Sequence, residues 1–112
     1  MATKVRRATS KQIIRKMVRR IVERFAPEKV ILFGSHVRGT THAYSDVDLL
    51  VVMPVDGSRR AKAVEIAIAL HDLGAPTDVI VSTPDAFEWR QNVPGTLERI
   101  ATREGKVLHA RC

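Results

Sequence analysis

Residues 45–52 read SDVDLLVV, and the last four of them are apolar without a break. Successive side chains of a strand point to opposite faces, so Val47, Leu49 and Val51 line one face while Leu50 and Val52 line the other. A strand that is apolar on both sides must be covered on both sides. This limits the chain to a layered domain in which the run lies inside a sheet flanked by other elements. Asp46 and Asp48 share the face of Leu50 and Val52, at the mouth of the strand, with Cα atoms two rises (roughly 6.6 Å) apart. Carboxylates this close repel one another and are costly to desolvate.

The rest of the chain supplies the cover. Ile13, Ile14, Met17, Val18, Ile21, Val22 and Phe25 form one helical stripe over 10–25, with Thr9 and Gln12 spaced as a capping box. Arg15, Lys16, Arg19, Arg20 and Arg24 fall on the outer face, and Pro27 follows the end. The β-branched run 30–33 predicts a buried strand ending at Gly34. Residues 58–73 predict a second long helix with Ala61, Val64, Ala67 and Ile68 near one face and Gly74 as its stop. Residues 77–81 form a third strand, and Thr83-Pro84 reads as an N-cap with proline in the first turn. A short helix over 96–104 stops at Gly105, and KVLH (106–109) adds an edge strand. Helices alternate with strands, so the class is α/β (α+β mixed). About a dozen residues join the first two strands, which points to a small mixed sheet flanked by helices.

With 112 residues the chain suits one compact domain. A basic segment, 1–9, precedes a single domain over 10–112. No apolar run approaches the ~20 residues of a membrane span, and the start lacks the apolar stretch of a secretory signal. Cys112 is the single cysteine, which excludes an internal disulfide and a cysteine-based metal site. A reducing cytoplasm fits this. The formal charge is +7, and nine of the nineteen Lys and Arg fall within the first 24 residues against one acid, Glu23. Such a stripe is either a solvated helix face or an attractor of nucleic acid, phosphates or an acidic partner.

The two acids find a use with metal and phosphate. Hard divalent ions such as Mg²⁺ take oxygen ligands and keep substrate phosphates in their shell. Two of them about 4 Å apart can hold the attacking and leaving oxygens of an in-line displacement. Upstream, Gly34-Ser35 ends the first strand. The glycine permits close approach of backbone to a ligand, and the serine offers hydroxyl and N–H to phosphate. Arg38, one turn later, can contact the same anion or pair with an acid. A Gly-Ser pair alone is usually a strand-to-helix turn, and Asp-x-Asp alone is as easily a solvated strand end or an N-cap. Together, at this spacing, they are far more specific.

The string FGSHVRGTTHAYSDVDLLVV resembles the signature of the DNA polymerase β-type nucleotidyltransferase superfamily, and in particular its minimal nucleotidyltransferase (MNT) branch. The tail EGKVLHA is similar to that branch's C-terminal end, so the resemblance runs from about residue 10 onward. Val37 stands where many members have a small residue, a departure that touches nothing catalytic. The resemblance implies the polymerase β-type fold, ATP or another nucleoside triphosphate, two Mg²⁺ ions, and transfer of a nucleoside monophosphate with loss of pyrophosphate. It implies that Gly34, Ser35, Arg38 and Ser45 meet the nucleotide and that Asp46 and Asp48 bind metal. It also implies a third carboxylate that holds metal and activates the nucleophile. Asp78, opening the run TDVIV, is the best match, against the plainer reading of a turn cap. Asp72 and Asp85 match less well, the first late in a helix and the second in a first turn, where an acid suits the dipole. Of the histidines, His36 and His42 flank the motif while His71 and His109 lie far off in sequence. No HxxxH pair occurs, and His36 reads as a loop residue. Tyr44 can stack on a base or simply pack.

Motif and fold fix the donor half of a reaction and leave the acceptor open. The resemblance implies an antitoxin of a toxin–antitoxin pair that transfers AMP to a tyrosine of a helical HEPN-type toxin and works in a hetero-oligomer with it. Three alternatives stand beside this: neutralisation by binding alone with vestigial catalysis, transfer to a small molecule or RNA with a separate partner domain, and a nucleic-acid binder built on the basic helix. Only five aromatic residues, with no pair of them on a sheet face, argue against a base-stacking platform and so against direct nucleic-acid binding.

Overall fold

The computed structural model describes residues 11–38 and 46–111. The elements run α1 (Lys11–Phe25), β1 (Lys29–Phe33), α2 (Ser35–Arg38), β2 (Val47–Val52), α3 (Arg59–Ala69), β3 (Thr77–Ser82), α4 (Pro84–Arg90), α5 (Leu97–Glu104) and β4 (Lys106–Ala110). The four strands form one sheet in the order β3-β2-β1-β4. β1 is antiparallel to both β2 and β4, and β2 is parallel to β3. The sheet is therefore mixed, as the short first connection requires. A parallel neighbour for β2 needs a crossover, which α3 supplies.

Both faces of the inner strands are covered. Val30, Leu32, Val47, Leu49 and Val51 pack beneath α1 and α3, where Met17, Ile21, Ile66 and Leu70 are buried. Ile31, Phe33, Leu50 and Val52 face Phe87 of α4 and Ala101 of α5. Each fully buried aliphatic side chain of this kind contributes about 1.5–3 kcal/mol. β4 closes the far edge, and the chain reaches it through Gly105. A Cβ there would stand 2.8 Å from Ile31 Cγ2 and 2.8 Å from the Leu32 carbonyl oxygen. The glycine thus serves close approach; its backbone is extended, with φ −86°.

Three sequence expectations change. α3 turns a different face inward. Ile66 and Leu70 are buried and Ala63 and Ala67 partly so, whereas Val64 and Ile68 are 53% and 69% exposed. The helix carries apolar residues in two rows, and periodicity alone does not say which row meets the sheet. It also ends at Ala69, followed by a 3₁₀ turn, His71–Leu73, that closes on Gly74 in the left-handed region (φ 78°). Finally, Arg20 does not simply face outward. Its guanidinium donates to the Ala69 carbonyl at 2.9 Å and pairs with Asp72, tying α1 to the end of α3. The Arg20 hydrogen bond lowers the Asp72 pKa, so this acid has a structural partner.

The caps agree with the residue chemistry: Ser58, Thr83 and Thr96 accept from the N–H of Ala61, Ala86 and Arg99. The Thr9 cap lies outside the described residues. Among the described residues no helix is long and apolar enough to cross a membrane.

One buried polar cluster joins β3 to the helices. Ser82 donates to Glu98 Oε2 at 2.9 Å, and Arg90 Nε stands 3.1 Å from Glu98 Oε1. Burial raises the Glu98 pKa, but hydrogen bonds from its backbone N–H and Ser82, with the Arg90 guanidinium beside it, outweigh this and keep it below the ordinary 4.5.

Two predictions follow from the packing. Ile66→Ala should cost about 2–5 kcal/mol in urea unfolding, while Val64→Ala should stay within about 0.5 kcal/mol; the reverse order would restore the other helix face. Glu98→Gln should cost about 1–3 kcal/mol near pH 7. Because the folded state holds the carboxyl low, its contribution is present above the ordinary value and is lost as pH falls from there through the lower folded-state value. The gap between wild type and Glu98→Gln should therefore close in unfolding curves stepped from about pH 6 to about pH 3.

Candidate active site

The end of β1 and the starts of β2 and β3 meet at one end of the sheet. Phe33 pairs with Asp48 across the antiparallel ladder, and Asp48 pairs with Asp78 across the parallel one. Partner positions on neighbouring strands share a face, so the three side chains form a row across the sheet about 4.8 Å apart per strand. This is the face of Leu50 and Val52, covered deeper in by α4 and α5. Asp48 is half-buried, and Asp46 and Asp78 are exposed. Asp78, thirty residues from Asp48 in sequence, becomes its immediate neighbour. Asp46 stands one residue before β2 rather than inside it, while the Val47 N–H donates to the Pro76 carbonyl at 2.9 Å and anchors that entry to the start of β3.

Gly34 fits the row from the other side. Its φ of 82° turns the chain from β1 into α2, a conformation that favours glycine. A Cβ there would also collide with Asp48 Oδ2. The backbone at Gly34 thus lies directly against an acid of the row, and Ser35 follows as the first residue of α2. Arg38 closes that single turn. Ser45, His42 and Tyr44 lie outside the described residues. Asp85 is exposed in the first turn of α4, away from the row by element, and Asp72 is held by Arg20.

The carboxylates are aligned by backbone but not closed into a cage. Among the described residues no three His, Cys, Asp or Glu side chains are gathered closely enough to hold a metal ion. The donor set is all carboxylate oxygen, on one face of adjacent strands. Its chemistry fits a hard divalent cation that completes its shell with water or phosphate.

His36 and His109 lie far apart in sequence, yet both line one groove of about 960 Å³ between α1 and β4. Only the pairing of β4 with β1 brings them together. A second groove, of about 610 Å³, runs beside β3 between α3 and the start of α5. Neither is lined by the three acids.

The model of the nucleotidyltransferase domain family matches residues 14–109. The chain belongs to the nucleotidyltransferase domain family. Solved structures of the same fold include a mutant of the toxin-antitoxin MntA-HpeT, in which two aspartates separated by a single residue are replaced by glutamate. That structure is 21% identical, covers 92% of this chain and 75% of its own, and has a TM-score of 0.60. A putative nucleotidyltransferase from Sulfolobus solfataricus is 20% identical, covers 89% and 79%, and has a TM-score of 0.55. A toxin-antitoxin with AMP-PNP is 21% identical, covers 92% and 75%, and has a TM-score of 0.56. A comparison with curated proteins finds no match. The small mixed sheet of this nucleotidyltransferase, with helices on both faces, is thus that of its structural neighbours.

The contact between Gly34 and Asp48 can be tested by stability alone. Gly34→Ala should cost about 1–2 kcal/mol for the left-handed backbone, with a further cost for displacing the Asp48 carboxylate. In an Asp48→Ala background that second part should vanish and the first remain. A double-mutant cycle by urea unfolding reads the difference; a Gly34→Ala variant as stable as wild type would contradict the close approach.

Proposed function

We propose that this chain is a Mg²⁺-dependent protein adenylyltransferase: it transfers AMP from ATP to a tyrosine of a helical HEPN-type toxin and so acts as its antitoxin in the cytoplasm. The observation that carries the reading is the row of Asp48 beside Asp78 with the Gly34 backbone against it. Family membership supports nucleotidyl transfer. The toxin-antitoxin neighbours, one of them with AMP-PNP, support the choice of donor and of partner class.

The roles are those that the motif resemblance implies, and the meeting of the strand ends supports them. Gly34 lets the triphosphate approach the strand end, and Ser35 and Arg38 offer donors to its oxygens; Ser45 is assigned to the nucleotide by the motif. Asp46, Asp48 and Asp78 would hold Mg²⁺, two ions in the full site. When bound, the metal supplies neutralisation of the phosphate oxygens. Asp78 takes the proton of the attacking tyrosine hydroxyl. The new bond joins the tyrosine oxygen to the α-phosphorus, the bond from the α-phosphorus to the bridging oxygen breaks, and pyrophosphate leaves. The acids sit in the open at a sheet end, which suits a hydroxyl delivered by another folded protein. The same openness, with no closed three-acid cluster among the described residues, favours a second reading in which the chain silences its partner by binding alone.

Intact mass spectrometry of the chain with its partner, ATP and Mg²⁺ separates the two. The partner should gain one adenylyl group with wild type. Asp46→Asn and Asp48→Asn should each lower the rate about 10²–10³-fold or more, with folding unchanged by circular dichroism. Asp78→Asn should lower turnover with ATP affinity retained. A stable complex with no mass gain selects binding alone, and a modified small molecule or RNA in place of the partner overturns the protein acceptor.

A further inference from the structure

The groove between α1 and β4 has a composition that the catalytic reading does not use. Lys11, Arg15 and Arg19 stand along one wall, and Lys106 of β4 stands on the other, with Glu23 as the one acid of the lining. The three helix cations are four residues apart, so they share a face and repeat about every 6 Å along the axis. Among the described residues Arg15, Arg19 and Lys106 make no ion pair. Between the walls the lining is aliphatic, with Val18, Leu32, Val37 and Leu108. One end of the groove reaches His36 and Val37 of α2, the turn that begins at Ser35.

We infer that this groove is the docking surface for an acidic amphipathic helix of the partner protein, which lays its apolar stripe on the aliphatic floor and its carboxylates against Lys11, Arg15, Arg19 and Lys106. A helix with acids at every fourth position presents the same repeat as the cations. Docked there, the partner lies against α2 and is carried to the sheet end where Asp48 and Asp78 stand. The inference takes from the proposed function only that the acceptor is a protein.

Other occupants fit less well. No Phe, Tyr or Trp lines the groove, so single-stranded RNA would find charge but only the small imidazole rings of His36 and His109 on which to stack its bases. A second copy of this chain carries a formal charge of +7, the wrong sign for this wall. Residues 1–9 contain Lys4, Arg6 and Arg7 and no acid, and they are disfavoured for the same reason.

The test uses the full chain without nucleotide, so that its outcome is independent of whether transfer occurs. Three labelled probes are titrated by fluorescence anisotropy: a helical peptide with Glu at every fourth position beside a leucine stripe, the same peptide with Gln for Glu, and an oligouridylate of equal charge. The Glu peptide should bind at least about tenfold more tightly than the Gln peptide, since complementary charge sets recognition here. Arg15→Glu with Lys106→Glu, both exposed positions, should weaken the Glu peptide about tenfold. Arg103→Glu, exposed on α5, should leave it unchanged, and melting curves confirm that each variant is folded. The inference is overturned if the Glu peptide does not bind, if the Gln peptide binds as well, or if the charge reversal has no effect. Tighter binding of the oligouridylate than of the Glu peptide also overturns it and assigns the groove to RNA.

Discussion

β2 is buried on both faces, and that demand organises the domain. Val47, Leu49, Leu50 and Val51 are fully excluded from solvent, so a helical layer is needed above and below, and a strand on each side to receive the backbone hydrogen bonds. α1 and α3 answer on one face, α4 and α5 on the other. β1 pairs antiparallel through a short connection, while β3 pairs parallel and requires the crossover helix. Remove the burial of β2 and none of the other elements has a reason to occupy its place.

The same strand explains why acids can be held at its end. An aspartate inside such a run would be desolvated on every side. At the mouth, the cover of α4 and α5 is already behind it, and Asp48 is half-buried while Asp46 and Asp78 meet water. Rigidity comes from Leu50 and Val52 further along the same face, and access comes from the sheet ending there. Gly34 adds a backbone surface without a side chain against Asp48, leaving room at the row that any larger residue would occupy.

Family membership rests on nearly the whole described chain, and the neighbouring structures share the fold at about one-fifth identity. Under the proposed function the partner needs a surface to grip, and the groove beside α1 is the one inferred for it, because the cations of a long amphipathic helix face an edge strand that carries another.

Local pattern was enough for much of this. The alternation in SDVDLLVV put Asp48 on the face of Leu50 and Val52, the stripe from Ile14 to Phe25 made α1, and Thr83-Pro84 marked the cap of α4, because strand periods, helix periods and caps act over a few residues. What lay beyond that reach depended on partners distant in the chain. α3 has apolar residues in two rows, and only contact with the sheet selects Ile66 and Leu70 over Val64 and Ile68. Arg20 is one of five basic residues on a helix face until Ala69 and Asp72 arrive beside it. His109 joins His36 only through the pairing of β4 with β1. Asp78 becomes the neighbour of Asp48 only when β3 settles parallel to β2 in that register, since register is decided by packing between strands and no single strand contains it.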